Sequence, residues 1–586
     1  MKYSDQIAEW LTTLGYDQCF FVGGGNIMHL IESLSLRMRC TAVIHEVAAG
    51  IAAEYYNESN QGRRALALVT AGPGLTNIIT AMAGAYLESR ELLVIGGQVK
   101  TADLAHGSLR QRGIQEIDGV ALAAPVCKKS VLLKKPMSFE ELRKCTDLSR
   151  SNRKGPVFLE IPLDIQGREY SPESDDTVTP ESSNRHAVDM QLEIVAQRVR
   201  QAQRPVFLLG GGLERGQTEN LIDSLITAGI PVATTWNGAD RIAYDNPVYV
   251  GRPNTWGQRS ANLVIQQADL LVAFGTRLGM QQTGFNWQEF IPMGDVIQID
   301  IDQAELDKGH PKVAMPICAD TNHFLKALLG HNLGQHIDWL AYARKVRASV
   351  PVVEEINQTR EGYLSPYVFV NQLSDLCRND DIIIPCSSGG AFTVMQQTFR
   401  QKTGQIMITN KGLASMGYGL SGAIGAAFAH PARRVILVEG DGGFAQNMQE
   451  IGTAQINKLN VKIFVFDDSG YASIRMTQKS YFGGRYIGCD TNTGLGLPNW
   501  NRLFAAWDMP VLHIGPGYSE NPEFLRAFEA TGPTAFVVSI DPEQTYFPKI
   551  TSQITTSGTM ISNPLHRMTP ELTPDLMVEI GKFLPK

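Results

Sequence analysis

Two carboxylates in glycine-rich surroundings carry the first chemical signal in this chain. Asp441 lies in Gly440-Asp441-Gly442-Gly443, directly after the apolar run that begins at Val435, and Asp467-Asp468 follows a second apolar run that begins at Val461. A helix-compatible stretch separates the runs, so 435–475 reads as a β-turn-α-β unit. That unit places one carboxylate beyond the carboxyl end of each of two parallel strands, the edge at which doubly wound sheets bind ligands. Two oxygen ligands, with glycines that let the backbone come close, suit a hard cation such as Mg²⁺ that also keeps substrate phosphates. The plainer alternative is an ordinary Gly-rich turn with two surface carboxylates.

Glu46 is the second residue of interest. It follows the apolar run Thr-Ala-Val-Ile and opens the small-residue stretch VAAGIAAEYY. A carboxylate that enters a tightly packed Ala/Gly helix must be paired or protonated, because burying it alone is costly. A Glu that merely caps a helix start is the alternative.

The elements that position these residues follow from the pattern. Strand-like runs alternate with helical stretches throughout, which predicts α/β architecture: three doubly wound parallel-sheet domains. We expect domains at 1–167, 186–330 and 350–545, an acidic Ser/Pro-rich linker at 168–185, and a tail at 546–586. The 586 residues are 43% hydrophobic and 19% charged, which excludes a disordered chain. A net charge of −7 with no basic stripe argues against nucleic acid as a partner. No apolar run is long enough to span a bilayer, and the start reads as an amphipathic helix rather than a signal peptide. The eight cysteines are scattered with no CxxC, as expected of reduced residues in a cytoplasmic protein.

The stretch around Asp441 and Asp468 resembles the metal–diphosphate signature of thiamine-diphosphate (ThDP) enzymes, and the rest of the chain resembles their acetolactate synthase-like branch. The resemblance implies that Asp441, the Asp468 side chain and the Gly470 carbonyl hold Mg²⁺, although the family more often has Asn where Asp468 stands. It implies that Glu46 hydrogen-bonds N1′ of the aminopyrimidine and promotes the tautomer that deprotonates the thiazolium. Pro73 and Asn77, in Ala-Gly-Pro-Gly-Leu-Thr-Asn, are then cofactor contacts, and Gln115, in Gly-Ile-Gln-Glu, lies near the reacting carbon. Gly24 and Gly25 match a substrate-facing loop, though a plain tight turn explains them equally well. Gly389, Gly390 and Ala391 present amides to the diphosphate. Met416 is the apolar wedge beneath the cofactor, and the Ala414 carbonyl accepts from its 4′-nitrogen; as a plain residue Met416 is core filler.

In the middle domain the resemblance implies FAD, with ADP or an empty site as alternatives. The matching positions are Gly211, Gly212, Thr235, Trp236, 254–257, Arg277, Asp300 and Asp320. The acceptor site departs from the family: its second arginine falls on Gln281 and its screening tryptophan on Thr477. A neutral, roomier pocket suits a ketone without a carboxylate. The run SIRMTQ…FGGR resembles the carboligases of branched-chain sugar (yersiniose) pathways, which implies pyruvate as donor and a CDP-linked 4-keto sugar as acceptor. Arg475, Gln478 and Arg485 are then sugar-nucleotide contacts, or simply solvated side chains. The rival readings are an ordinary acetolactate synthase, a flavin-linked pyruvate oxidase and a silent paralogue. The family also implies a homodimer or higher oligomer, with sites at the subunit boundary.

Overall fold

The computed structural model describes residues 1–60, 62–105, 107, 109–170, 186–554, 558 and 560–585, so most of the expected linker, 171–185, lies outside the described residues. The chain forms two compact units. The first comprises 1–179, 380–392 and 408–542; the second comprises 180–379, 393–407 and 543–586.

The first unit holds two parallel sheets. In one, the strands Arg39–Ala42, Tyr16–Phe21, Arg64–Val69, Leu92–Gln98, Pro156–Pro162 and Lys129–Leu132 lie side by side in that order. Arg64–Val69, Leu92–Gln98 and Pro156–Pro162 are buried along their whole length. Continuous burial is what near-unbroken apolar runs achieve when helices cover both faces of a parallel sheet. In the other sheet Ile382–Ile384, Val435–Gly440, Val461–Asp467, Thr534–Ser539 and Val511–Ile514 follow one another, all parallel. On the far flank of Ile382–Ile384 the Ile408 amide donates to the Ile383 carbonyl at 3.1 Å. Strand order therefore reverses between Tyr16–Phe21 and Arg64–Val69 in one sheet, and beside Ile382–Ile384 in the other. Such reversals open a crevice at the carboxyl ends of the strands.

The helices Glu46–Ser59 and Tyr418–Ala429 pack directly on each other, and small residues make this possible. A Cβ on Gly425 would stand 2.1 Å from the Ala52 carbonyl oxygen, and one on Gly422 would lie 2.6 Å from the Tyr55 ring. Buried between them, Glu54 accepts from Arg90 Nη1 at 2.7 Å, from Asn410 Nδ2 at 3.2 Å and from the Tyr418 hydroxyl at 3.2 Å. Multiple partners are what a buried carboxylate needs.

Glu160, in the middle of a fully buried strand, makes a pH-dependent contribution. It is 2% exposed and accepts from Gln98 Nε2 at 2.9 Å; burial pushes its carboxyl up to about 8. Unfolded, the same group ionises near 4.5. The folded chain thus binds more protons between those values, and stability falls as pH rises from about 5 to 8. Glu160→Gln is expected to raise stability, and with it the unfolding midpoint, at pH 8.5 by at most about 5 kcal/mol, and to change it little at pH 5. Thermal melts of both proteins across that range check this; parallel curves would refute it.

The second unit has its own six-stranded parallel sheet, in the order Met315–Cys318, Asp295–Asp300, Leu270–Phe274, Pro205–Leu209, Val232–Thr234, Tyr249–Gly251. Its reversal lies between Leu270–Phe274 and Pro205–Leu209. The tail belongs to this unit. Ile550, Leu565, Met568 and Ile580 join the core with Leu263, Val264 and Trp339. Arg259 fixes the tail by donating to the Met568 and Pro570 carbonyls at 3.1 and 2.7 Å while pairing with Glu354 at 2.9 Å. Despite its weak periodicity, the tail thus contributes apolar side chains to an existing core.

Candidate active site

In the first sheet of the first unit, the loops at the reversal converge. A Cβ on Gly24 would meet Thr70 Cβ at 2.3 Å, and one on Gly72 would meet the Gln115 carbonyl oxygen at 2.7 Å. The 23–26 loop therefore touches Thr70 at the start of the 70–73 turn, and that turn touches Gln115. Gln115 has φ +62°, a left-handed conformation that strains a non-glycine residue and commonly marks a functional loop. Glu116 holds it there: its carboxylate accepts from the amides of Ala105, Arg112 and Gly113 at 2.6, 2.8 and 3.0 Å.

Glu46 is the first residue of its helix and 8% exposed, and its Oε2 accepts from Asn77 Nδ2 at 2.9 Å. Asn77, expected as a cofactor contact, thus orients the carboxylate. The two amides before Glu46 are also fixed: those of Ile44 and His45 donate to Glu450 Oε1 at 3.1 and 3.0 Å. Glu450 carried no signal in the sequence, since nothing in its spacing ties it to residues some 400 positions away.

The other sheet of the unit gathers the second set. Asp441 and Asp468 are 1% and 5% exposed. Asp441 accepts from the amides of Gly442 at 2.6 Å and Gly470 at 2.9 Å. Burial, with Asp468 and Asp467 close by, pushes the Asp441 carboxyl well above the ordinary range. Burial lifts Asp468 to about 7, against the pull of Arg475. Gly442 leaves room for the Tyr471 ring, which a Cβ would meet at 2.3 Å, and Gly470 for the Cys489 carbonyl at 2.2 Å.

Gly389 and Gly440 are different. A Cβ on either would meet nothing within 4 Å, so open space borders the backbone beside the carboxylates' own strand end and at the start of the helix Gly389–Thr398. Gly390 and Ala391 follow in the first turn of that helix, where free amides favour anions. The loop before Tyr418 adjoins this edge. The Ser387 hydroxyl donates to the Ser415 carbonyl, and Asn447 Nδ2 donates to the Gly417 carbonyl at 2.7 Å. Ala414 has φ +56°. Met416 is half-buried in this loop, its sulfur 3.7 Å from Gln446 Nε2, and lies outside the packed core.

These residues fit a magnesium diphosphate. Two buried carboxylates side by side repel unless a cation or a proton intervenes, and two carboxylates with backbone oxygens and phosphates are the usual donor set of Mg²⁺. Among the described residues no cluster of three or more His, Cys, Asp and Glu side chains forms an all-protein metal cage. The open glycines supply the amide-lined space for the phosphates.

In the second unit the expected nucleotide positions also share one strand edge. Gly212 donates to the Gly275 carbonyl at 2.9 Å, and the Thr235 hydroxyl caps Gly238 at 3.2 Å beside the buried Trp236. Asp300 accepts from the Asp302 amide at 3.0 Å, and Asp320 caps its helix by accepting from Asn322 and His323 at 2.9 and 3.0 Å. The Arg277 carbonyl accepts from Lys308 Nζ. Gly211 leaves space for Asn237. Contacts within the domain thus account for several of these residues.

Of the expected acceptor residues, Arg475, Thr477 and Gln478 lie on one helix, Ala472–Phe482, and Gln281 belongs to the other unit. Gln281 is half-buried, its carbonyl accepting from the Thr255 amide at 2.9 Å. Thr477 is exposed and bonds back to the Ser473 carbonyl. Gln478 ties down a loop by bonding both the amide and the carbonyl of Ile487, at 2.9 and 3.1 Å. Arg475 is neither solvated nor free for a substrate: it is 4% exposed, and its Nη2 donates to Asp468 Oδ1 at 3.0 Å and to the Asp468 carbonyl at 2.7 Å. Its expected role as a sugar-nucleotide contact fails, because the buried Asp468 carboxylate lies within its reach and takes its charge.

Comparison with known proteins agrees with this geometry. Models of the thiamine pyrophosphate enzymes match in all three parts: the N-terminal TPP binding domain at residues 1–122, the central domain at 192–328 and the C-terminal TPP binding domain at 388–538. Together they span more than half of the chain, which belongs to the thiamine pyrophosphate enzymes. Within that family it is similar to acetolactate synthases. The isozyme 2 large subunit of Escherichia coli is 29% identical over 557 residues, covering 93% of this chain and 97% of its own. The isozyme 1 large subunit of the same organism is 27% identical over 537 residues (90% and 92%), and the acetolactate synthase large subunit of Porphyra purpurea 28% over 535 residues (89% and 87%). Among the described residues no helix is long and apolar enough to cross a membrane.

Proposed function

We propose that this enzyme is an acyloin-type carboligase that uses Mg²⁺ and thiamine diphosphate to decarboxylate a 2-keto acid such as pyruvate and join the remaining two-carbon unit to a second 2-keto acid. The observation that carries the chemistry is the pair of buried, mutually repelling carboxylates Asp441 and Asp468 beside open glycine backbone. The acceptor class rests on the full-length similarity to acetolactate synthases. When bound, thiamine diphosphate supplies the electron sink for carbanion chemistry, and the protein supplies orientation and electrostatics.

The chain's residues divide that work. Asp441, Asp468 and the Gly470 carbonyl hold the cation, while the amides at Gly389, Gly390 and Ala391 and at Gly440 to Gly443 line the phosphates. Glu46, oriented by Asn77, holds a proton against the pyrimidine ring. Met416 and the Ala414 carbonyl would pack against and bond the cofactor, and Gln115, on its strained loop, would lie near its reactive end. Glu46 and the metal residues come from different sheets, and the complete site forms between two copies of the chain. FAD in the central domain is part of the proposal: a glycine turn at 210–212 and the acidic residues Asp300 and Asp320 share the strand edge at which doubly wound sheets take dinucleotides.

A second reading has a specific observation behind it. Gln281 carries no charge for an acceptor carboxylate and Thr477 is small and exposed, which suits a neutral ketone such as a CDP-linked 4-keto sugar. Mass spectrometry of products from pyruvate alone and pyruvate with 2-ketobutyrate, a simple ketone or a CDP-4-keto sugar separates the two. Acetolactate or its homologue as main product supports the first reading. Ligation only to the neutral ketones replaces it with the second, and no ligation product at all refutes both.

A further inference from the structure

Arg475 stands where helix electrostatics disfavour a cation. It lies in the first turn of Ala472–Phe482, whose dipole is positive at that end. It is nonetheless buried, and its Nε has no partner among the described residues. Both of its bonds go to one residue, Asp468: Nη2 reaches the side-chain Oδ1 at 3.0 Å and the main-chain carbonyl at 2.7 Å. Burial of a guanidinium with so few partners is costly, so a local need must offset it.

That need is the charge on Asp468. A neutral amide side chain there would offer the cation one oxygen and no charge. A carboxylate adds a negative charge next to Asp441, near Asp467 and beside the diphosphate. The guanidinium offsets that charge and engages Oδ1, not Oδ2.

We propose that Arg475 is a positioning residue of the metal half: it neutralises and orients Asp468, so that an Asp–Arg pair takes the place of a single neutral ligand. This rests on the reading that Asp441 and Asp468 hold Mg²⁺. It makes residues 468 and 475 one unit, each deleterious to change alone and tolerant of change together.

The test is a double-mutant cycle of Arg475→Met, Asp468→Asn and the combined variant in the full-length protein. Two quantities are read: thiamine diphosphate binding by calorimetry at fixed Mg²⁺, and the unfolding midpoint without metal or cofactor. Each single change is expected to weaken Mg²⁺-dependent cofactor binding by about tenfold or more, and the double variant to return to within about threefold of wild type. Arg475→Met binding like wild type, or single effects that add in the double variant, overturns the proposal. So does a loss of metal-free stability with binding unmoved, which would make the pair purely structural. If the wild-type protein takes up no cofactor with Mg²⁺, the functional reading itself falls and this proposal with it.

Discussion

Glu46→Gln is expected to lower turnover of pyruvate by about 10²- to 10⁴-fold, the usual range for loss of a positioned proton-transfer group, while cofactor uptake persists. Glutamine keeps the size of the side chain and an oxygen for Asn77 Nδ2, which stands 2.9 Å from Glu46 Oε2. The helix start also survives, since the amides before it are fixed by Glu450 and the His45 ring accepts from Val47. What glutamine cannot do is hold a carboxyl proton against the pyrimidine ring. Steady-state kinetics with calorimetric titration of the cofactor separate these effects. Unchanged turnover would remove Glu46 from the chemistry, and lost uptake would assign it to binding.

Asp441→Asn is expected to abolish uptake of thiamine diphosphate at ordinary Mg²⁺, a weakening of about 10²- to 10³-fold, as for a buried ion pair that loses one partner. The same change should leave the metal-free protein as stable as wild type or more so. Asp441 sits buried with Asp468 and Asp467 near it, and burial first, then those neighbouring charges, push its carboxyl well above the ordinary range. Removing one charge relieves the repulsion, and asparagine's oxygen can still accept from one of the amides of Gly442 and Gly470. A residue kept only for structure would show the reverse: lower metal-free stability and unchanged binding. Titration of Mg²⁺ against cofactor binding, alongside thermal melts of the metal-free proteins, distinguishes the two.

How far the site is legible in the sequence depends on how local it is. Asp441 and Asp468 end consecutive parallel strands of one β-turn-α-β unit. Once the apolar runs are read as strands, register alone places both carboxylates at one edge. Gly24, Gly72 and Gln115 were marked by loop motifs, yet the contacts of Gly24 with Thr70 and of Gly72 with Gln115 are facts of three-dimensional packing. Arg475 shows where sequence patterning stops. On the strength of its type and its Tyr- and Gln-rich neighbours it reads as a solvated or substrate-facing cation. In the fold it is turned inward, because the first turn of its helix abuts the end of the strand that carries Asp468.

The sequence by itself determined the α/β class, the three parallel sheets and the strand-end carboxylates, because apolar periodicity and glycine spacing act within tens of residues. Only the tertiary structure decided that Glu450 secures the amides before Glu46, that Asn77 orients that carboxylate, that Arg475 turns inward to pair with Asp468 and that the tail inserts into the core of the second unit. The first three lie in the unit where the glycine-lined helices Glu46–Ser59 and Tyr418–Ala429 pack on each other, and the fourth lies in the other unit. Glu450 lies some 400 positions from Ile44 and His45, and no spacing encodes that meeting. Asn77 and Arg475 stand 31 and 7 positions from their partners, and there burial and close packing of the unit decide which way the side chains turn.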